Sequence, residues 1–164
     1  MPPDLLQDPA FRIYAVAALL GVLKVMGQGW VTVRAMMSEN AGFASPEDLR
    51  PGALNRAPSP DQLAPNDRVD RSRRMHRNDL ENIPAFWVAG LLFVLTGPPV
   101  WAAALFCGGF VLARGGHAWA YATARGHETR ATFYTIGSAL VIVMAVWAFV
   151  SWFAGPAVAP VTQP

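Results

Sequence analysis

Four long apolar stretches, each close to the length that crosses a lipid bilayer as a helix, constrain the fold of this chain most strongly. A hydrocarbon core about 30 Å thick requires about 20 residues at a rise of 1.5 Å per residue. The chain is 53% hydrophobic and only 15% charged, against roughly 25% charged residues in soluble domains. We therefore predict an all-α fold, an integral membrane four-helix bundle forming one domain over residues 1–153. The predicted spans are residues 11–37, 70–96, 99–124 and 129–153.

The connections between these spans differ greatly in length. Residues 96–99 and 124–128 are short breaks, whereas residues 38–69 form one long connection that contains five prolines. Because proline interrupts a helix, this connection cannot be one continuous helix. A loop of this length is usually functional or disordered. The proline-rich residues 154–164 are predicted to be a disordered tail.

The arginines lie almost entirely on one side of the predicted spans. Four spans place both termini together, where Arg12 is almost the only cation, and place both arginine-rich loops on the opposite side. Cytoplasmic loops are enriched in arginine and lysine, so both loops are predicted to face the cytosol. The N-terminal segment lacks the basic region of a signal peptide, so the first span is expected to remain. Short connections and no organelle signal favour a bacterial inner membrane over the endoplasmic reticulum.

Polar residues repeat at helical spacing inside two of the predicted spans. In the second span, Arg74, Asn78 and Glu81 fall at positions i, i+4 and i+7, with Arg73 and His76 beside them. Residues at these spacings share one helix face. Polar groups inside a membrane are costly and are functional candidates for that reason. The third span carries a second such stripe, Arg114, His117 and Tyr121.

These polar groups lie at similar depths on the cytosolic side. Glu81 is about 12 Å inward from Arg73 at 1.5 Å per residue. Arg34 ends the first span and Arg130 begins the fourth, both on the same side. Polar groups from all four helices are therefore predicted to converge in one layer. Such a layer fits a polar ligand with several carboxylates, because arginine binds carboxylates with paired hydrogen bonds.

Other interpretations of these residues stay open at this point. The arginine-rich residues 71–77 are equally consistent with a collar that contacts anionic lipid headgroups. Glu81 could instead neutralise Lys24, which lies at a compatible depth, and His117 and Tyr121 are also consistent with simple packing. The histidines lack the spacing of metal ligands, so no metal is expected. Cys107 lies in an apolar run and is expected to be an inert core residue. Nucleic acid is not an expected partner.

Three segments together resemble one family of membrane proteins. Residues 68–87 are RVDRSRRMHRNDLENIPAFW, residues 43–48 are FASPED and residues 113–121 are ARGGHAWAY. This set resembles the MAPEG family, the membrane-associated proteins in eicosanoid and glutathione metabolism, and most closely its microsomal glutathione-transferase branch. The resemblance extends to about Phe153. It implies a homotrimer of four-helix subunits, with glutathione bound as co-substrate between neighbouring subunits and open to the cytosol.

The resemblance also implies roles for individual residues. Arg130 matches the family arginine that stabilises the glutathione thiolate, and Asp48 matches an acid implicated in turnover, so these two are the predicted catalytic residues. The predicted glutathione-binding residues are Arg34, Arg73, Arg74, His76, Asn78, Glu81, Arg114, His117 and Tyr121.

Departures from the family pattern bear on the expected chemistry. Ala131 stands where the prostaglandin-synthase branch has a serine beside the catalytic arginine, and Pro84 lies one residue earlier than the usual proline. We predict a membrane glutathione transferase, with peroxidase activity, that serves detoxification by acting on apolar electrophiles or lipid hydroperoxides. The alternatives are a glutathione-dependent, prostaglandin-synthase-like isomerase and a non-enzymatic lipid-binding member of the same fold.

Overall fold

The computed structural model describes residues 5–53 and 55–153, and within them the regular secondary structure is helical, without a strand. This confirms the predicted all-α fold; the predicted tail lies outside the described residues. The first helix is Pro9–Glu39, the second is Asp67–Val94 and the fourth is His127–Phe153. The third helix, residues 100–122, consists of Val100–Ala103, a π-helical segment Ala104–Gly108 and Gly109–Ala122. Short 3₁₀ helices are Leu5–Gln7, Pro46–Leu49 and Pro60–Leu63.

Capping residues set where the first two helices begin and end. Asp8 caps the first helix, because its Oδ1 accepts a hydrogen bond from the N–H of Phe11 at 2.9 Å. That helix stops at Asn40, which adopts a left-handed backbone with φ of 48°. Asn66 caps the second helix by accepting from two N–H groups of its first turn. Side chains of this type satisfy N–H groups that have no partner inside a helix.

Two of the four helices, the first and the fourth, are long and apolar enough to cross a membrane, among the residues that the structure describes. Their outer faces expose large apolar side chains, for example Trp30 at 76% and Phe149 at 64%. Such a surface is typical of contact with lipid or with a protein partner. The second helix is charged in its first half and the third is divided by its π-helical segment, so their assignment as spans stays a prediction.

The core lies where the apolar faces of the four helices meet. Phe86 of the second helix stacks on Phe110 of the third, with ring centroids 4.2 Å apart. Phe93 of the second helix meets Trp147 of the fourth edge-on at 5.5 Å. The first and second helices approach closely at Gly21, where a Cβ would lie only 3.0 Å from side chains of the second helix. This packing fixes the rotation of each helix and decides which polar residues face inward.

The long connection between the first two helices is held together around Gln62, which is 1% exposed. Its Nε2 donates to Oδ1 of Asn40 at 2.7 Å, and its Oε1 accepts from Nδ2 of Asn55 at 2.7 Å. An ion pair of 2.8 Å between Arg68 and Glu39 joins the two helices at the ends of the connection. The loop is therefore anchored to the ends of the helices that it links.

Two irregularities lie inside the helices. Pro84 is in the middle of the second helix, which continues through it although proline cannot donate the backbone hydrogen bond. The π-helical segment of the third helix contains an additional residue relative to an α-helical turn. Cys107 lies in that segment and is fully buried, as expected for a core cysteine.

Candidate functional site

A buried ionic cluster joins the first three helices. Asp79 of the second helix is 0% exposed, and its two carboxylate oxygens contact different cations. Nζ of Lys24 in the first helix lies 2.5 Å from Oδ2, and Nη2 of Arg114 in the third helix lies 2.8 Å from Oδ1. A buried charge is tolerated only when it is paired. Asp79 therefore ties three helices together at one level.

The alternative pairing of Lys24 with Glu81 is wrong, because Asp79 is the acid that contacts Lys24. Lys24 contacts Asp79 because Asp79, Phe86 and Phe93 recur every seven residues in the second helix. All three are therefore on the helix face that packs against the other helices. Glu81 lies two residues after Asp79, a rotation of about 200° around the helix axis. Its side chain is consequently exposed.

Hydrogen bonds extend the cluster toward the end of the first helix and the start of the second. Gln28 accepts from Nζ of Lys24 at 3.2 Å, and its Nε2 donates to Oγ of Ser72 at 2.9 Å. A contact of 2.8 Å links Ser72 to Oγ1 of Thr32. Gln28, Ser72 and Asp79 are not among the site residues predicted from the sequence. A signal was present, because Ser72 and Asp79 continue the register of the core phenylalanines and Gln28 follows Lys24 by four residues.

Arg114 connects this cluster to two side chains beyond it. It is 4% exposed, and its Nη2 donates to Oδ1 of Asn78 at 2.9 Å and contacts Nδ1 of His117 at 2.9 Å. Its Nε and Nη1 are buried without a hydrogen-bond partner in the described part of the chain. Asn78 and His117 both line a neighbouring cavity. Arg114 therefore holds part of the wall of that cavity in place.

We call this space the Arg130 cavity; its volume is about 290 Å³. The guanidinium of Arg130 lies over the ring of Tyr121, 4.9 Å from its centroid. Nε of Arg130 is buried and has no hydrogen-bond partner among the described residues. The second, third and fourth helices line the cavity with Asn78, Glu81, His117, Tyr121, His127, Arg130, Ala131 and Tyr134.

A second space, the Arg34 cavity, has a volume of about 270 Å³ and lies between the first three helices. Arg34, Arg68 and Arg71 line it, so it is rich in guanidinium groups. Tyr121 lines both this cavity and the Arg130 cavity. The predicted convergence of polar groups from four helices is thus present as two cavities that share one tyrosine. Arg71, which the sequence also allowed as part of a lipid collar, lines the Arg34 cavity.

Three predicted binding residues of the second helix line neither cavity. Nη2 of Arg73 donates to the carbonyl of Gly42, and its Nη1 lies 3.3 Å from Asp70, so this arginine holds the loop. Arg74 is exposed. His76 is half-buried and lies on the side of the first helix, where its ring is 4.0 Å from the position that a Cβ on Gly29 would take.

The predicted catalytic acid Asp48 lies in the loop and not in either cavity. Its Oδ2 accepts from the N–H of Ser45 at 3.2 Å and caps the short helix Pro46–Leu49. The structure therefore groups Arg34 with Tyr121, and Asn78, Glu81 and His117 with Tyr121 and Arg130, while Asp48 remains separate. Its predicted role in turnover stays a prediction.

The chain is similar over most of its length to proteins of one membrane family. The sequence model of the MAPEG family matches residues 14–150. Microsomal glutathione S-transferase 1 of Bos taurus is 34% identical over 142 residues, which cover 87% of this chain and 90% of that protein. The protein of the same name from Homo sapiens is 34% identical over 143 residues, with the same coverage. Prostaglandin E synthase of Equus caballus is 31% identical over 155 residues, covering 90% of this chain and 96% of that protein.

Proposed function

The chain belongs to the MAPEG family, and we propose that it is a membrane glutathione transferase. In this proposal the chain activates glutathione as its thiolate, which attacks an apolar electrophile or reduces a lipid hydroperoxide. The observation that carries the proposal is Arg130, whose guanidinium lies in a cavity beside Tyr121 with a buried, unpartnered Nε. The relatives named as glutathione transferases and the two apolar helices support glutathione chemistry in a membrane protein.

The proposed role of Arg130 is to lower the pKa of the glutathione thiol. A free thiol has a pKa near 8.5, and the thiolate is the nucleophile. Lowering that pKa by about two requires about 2.7 kcal/mol, at 1.36 kcal/mol for each pH unit. One guanidinium that is partly removed from water supplies interactions of this size. Arg130 pairs with an aromatic ring and with no acid among the described residues, which leaves its charge available for the sulfur.

The charged ends of glutathione fit the remaining polar groups. Its two carboxylates match the guanidinium groups of Arg34 and Arg71 in the Arg34 cavity, because arginine forms paired hydrogen bonds with carboxylates. The carboxylate of Glu81 in the Arg130 cavity suits the ammonium. Tyr121, which lines both cavities, is the proposed link between the carboxylate end and the thiol end of the bound peptide.

A homotrimer is part of the proposal, because several predicted binding groups face outward in one subunit. Arg34, Arg74 and Glu81 are exposed. We propose that glutathione binds between neighbouring subunits, so that Arg73, Arg74 and His76 of one subunit approach glutathione held in the cavities of the next. Asp48 would act from the loop. The arginine-rich side is proposed to face the cytosol, and a bacterial inner membrane is the proposed location.

A prostaglandin-synthase-like isomerase is the second candidate, because the equine relative of that name covers most of the chain. Ala131 lines the Arg130 cavity beside Arg130 and has no hydroxyl group. The isomerase branch is expected to have serine there, so this alanine favours conjugation over isomerisation. An assay with a prostaglandin endoperoxide separates the two candidates.

The test is an assay of protein purified in detergent, with glutathione and a halonitrobenzene, a lipid hydroperoxide or a prostaglandin endoperoxide. The wild type should form the conjugate or reduce the hydroperoxide. In Arg130→Ala, kcat/KM should fall about a hundredfold, which corresponds to about 2.7 kcal/mol. In the same variant, the pKa of the thiol of bound glutathione, measured from thiolate absorbance, should rise toward its value in water.

Arg125→Ala is the matched control for this test. Arg125 also stacks on an aromatic ring, Trp119, at 4.9 Å, but it is exposed and lines neither cavity. The control should keep wild-type turnover. Equal effects of the two substitutions, or an unchanged thiol pKa in Arg130→Ala, would remove Arg130 from the mechanism. Failure of the wild type to bind glutathione by calorimetry would favour a non-enzymatic, lipid-binding role.

A further inference from the structure

A continuous apolar groove runs between the first and third helices, away from both cavities described above. Its two sections have volumes of about 190 and 370 Å³. They share three lining residues, Ala17, Leu20 and Val111. One section reaches Lys24 and Arg114, and the other reaches Arg12. From Ile13 to Lys24 the first helix advances about 16 Å. We call this space the helix 1–3 groove.

The inner end of the groove carries an unbalanced positive charge. Lys24 and Arg114 both line it, and Asp79 is the one described acid that pairs with either of them. Two cations and one carboxylate leave an excess of one positive charge. Arg114 is 4% exposed, and its Nε and Nη1 have no partner among the described residues. Three of its five N–H groups are therefore buried without an acceptor.

The walls of the groove are apolar and partly formed by bare backbone. Gly108 and Gly115 lie along the third helix at the groove, and a Cβ on either would meet nothing within 4 Å. The described residues therefore leave open space beside each of these two glycines. A ligand that satisfies both parts of the groove has an anionic acceptor at one end and a hydrocarbon chain at the other.

We propose that the helix 1–3 groove binds a fatty carboxylate, with its head on Lys24 and Arg114 and its chain directed toward Arg12. The planar carboxylate matches the guanidinium and supplies the missing acceptors and the missing negative charge. The inner section, about 190 Å³, suits a compact carboxylate head, and the outer section, about 370 Å³, suits part of the hydrocarbon chain. Binding at this site does not require glutathione, so it can be tested independently of the proposed activity.

The first experiment compares a spin-labelled stearic acid with its methyl ester, which has the same chain and no charge. Wild-type protein is placed in nanodiscs of zwitterionic phosphatidylcholine, and the motionally restricted component is measured by electron paramagnetic resonance. The acid should bind about tenfold more tightly than the ester, the scale of one charge-assisted hydrogen bond. Equal restriction of acid and ester, or no restricted component, would overturn the proposal.

The second experiment fills the groove. Gly115→Leu places a side chain in the open space and should abolish most of the restricted component of the acid. Gly27→Leu is the matched control, because Gly27 also has open space around it and lines neither section of the groove. Lys24→Met removes the excess positive charge. In this variant the spin-labelled acid should bind no more tightly than its methyl ester. Equal loss in the two leucine variants would contradict the assignment of the groove.

Discussion

Arg114 and Arg130 are arginines of neighbouring helices, but their surroundings differ. Nη2 of Arg114 lies 2.8 Å from the carboxylate of Asp79 and 2.9 Å from acceptors on Asn78 and His117. Arg130 faces the ring of Tyr121 and a cavity, without an ion pair to a described acid. Arg114, which shares the carboxylate of Asp79 with Lys24, holds helices together. An arginine without such a partner keeps its charge for an anion that arrives later.

The largest expected effect comes from removing the acid of the buried cluster. Asp79→Ala leaves the buried Arg114 and the partly exposed Lys24 without their carboxylate, and breaking a buried pair typically costs 3–5 kcal/mol. We expect that loss in the free energy of unfolding, measured by titration of the purified protein with sodium dodecyl sulfate. The control is Asp70→Ala, because Asp70 is 34% exposed and should cost under about 1 kcal/mol. Similar costs for the two variants would show that Asp79 does not hold the helices.

Replacing Arg114 or Arg130 by lysine tests whether the two arginines differ in their contribution to stability. Arg114→Lys keeps the charge but loses the planar group that reaches Asn78, Asp79 and His117 together. We expect a loss of about 2 kcal/mol, since hydrogen bonds to charged groups contribute about 1.5–3 kcal/mol. Arg130→Lys should unfold at the same detergent concentration as the wild type. A larger loss of stability for Arg130→Lys than for Arg114→Lys would reverse the assignment of the two arginines.

A smaller effect is expected for the other cation of the cluster. Lys24→Met leaves Asp79 paired with Arg114, and the lysine itself is 24% exposed. The expected loss in the free energy of unfolding is therefore about 1 kcal/mol, well below that of Asp79→Ala. The same unfolding titration measures it. A cost as large as that of Asp79→Ala would mean that Arg114 alone does not neutralise the acid.

The smallest effect is expected at the exposed ion pair between Arg68 and Glu39, whose side chains are 65% and 31% exposed. Exposed pairs contribute little, because water and salt screen the charges. Arg68→Ala should leave the unfolding midpoint unchanged within error, at both low and high salt. A clear loss of stability would show that the loop between the first two helices depends on this pair more than on Gln62.

The helices were predictable from the sequence because their signals are local. Apolar length placed the four segments, and the structure moves their boundaries by only a few residues, to positions set by caps such as Asp8, Asn40 and Asn66. The polar layer was also predictable in outline, since the spacing of Arg114, His117 and Tyr121 places them on one face. These arguments need no knowledge of how the helices pack.

The partners within the site were less predictable, because they depend on the rotation of each helix. Depth along the axis allowed Lys24 to meet either Asp79 or Glu81, and the helix rotation fixed by core packing, such as Phe86 against Phe110, selects Asp79. The division into two cavities around Tyr121 likewise requires the positions of all helices at once. Roles for Arg73, Arg74, His76 and Asp48 still rest on the family resemblance.

The π-helical segment Ala104–Gly108 has a consequence for how this architecture tolerates change. Each residue of an α-helix turns the next by about 100°, and a π turn amounts to an insertion of one residue. The azimuth of Arg114, His117 and Tyr121 is thus set by a count of residues in an apolar stretch upstream. Deleting one residue within the π-helical segment would restore an α turn and leave these three side chains facing as before. Deleting one of residues 109–113, which are α-helical, would turn all three by about 100°, away from Asp79 and Arg130. Chemistry at the polar layer is encoded partly by the number of residues that precede it, and not only by their identity.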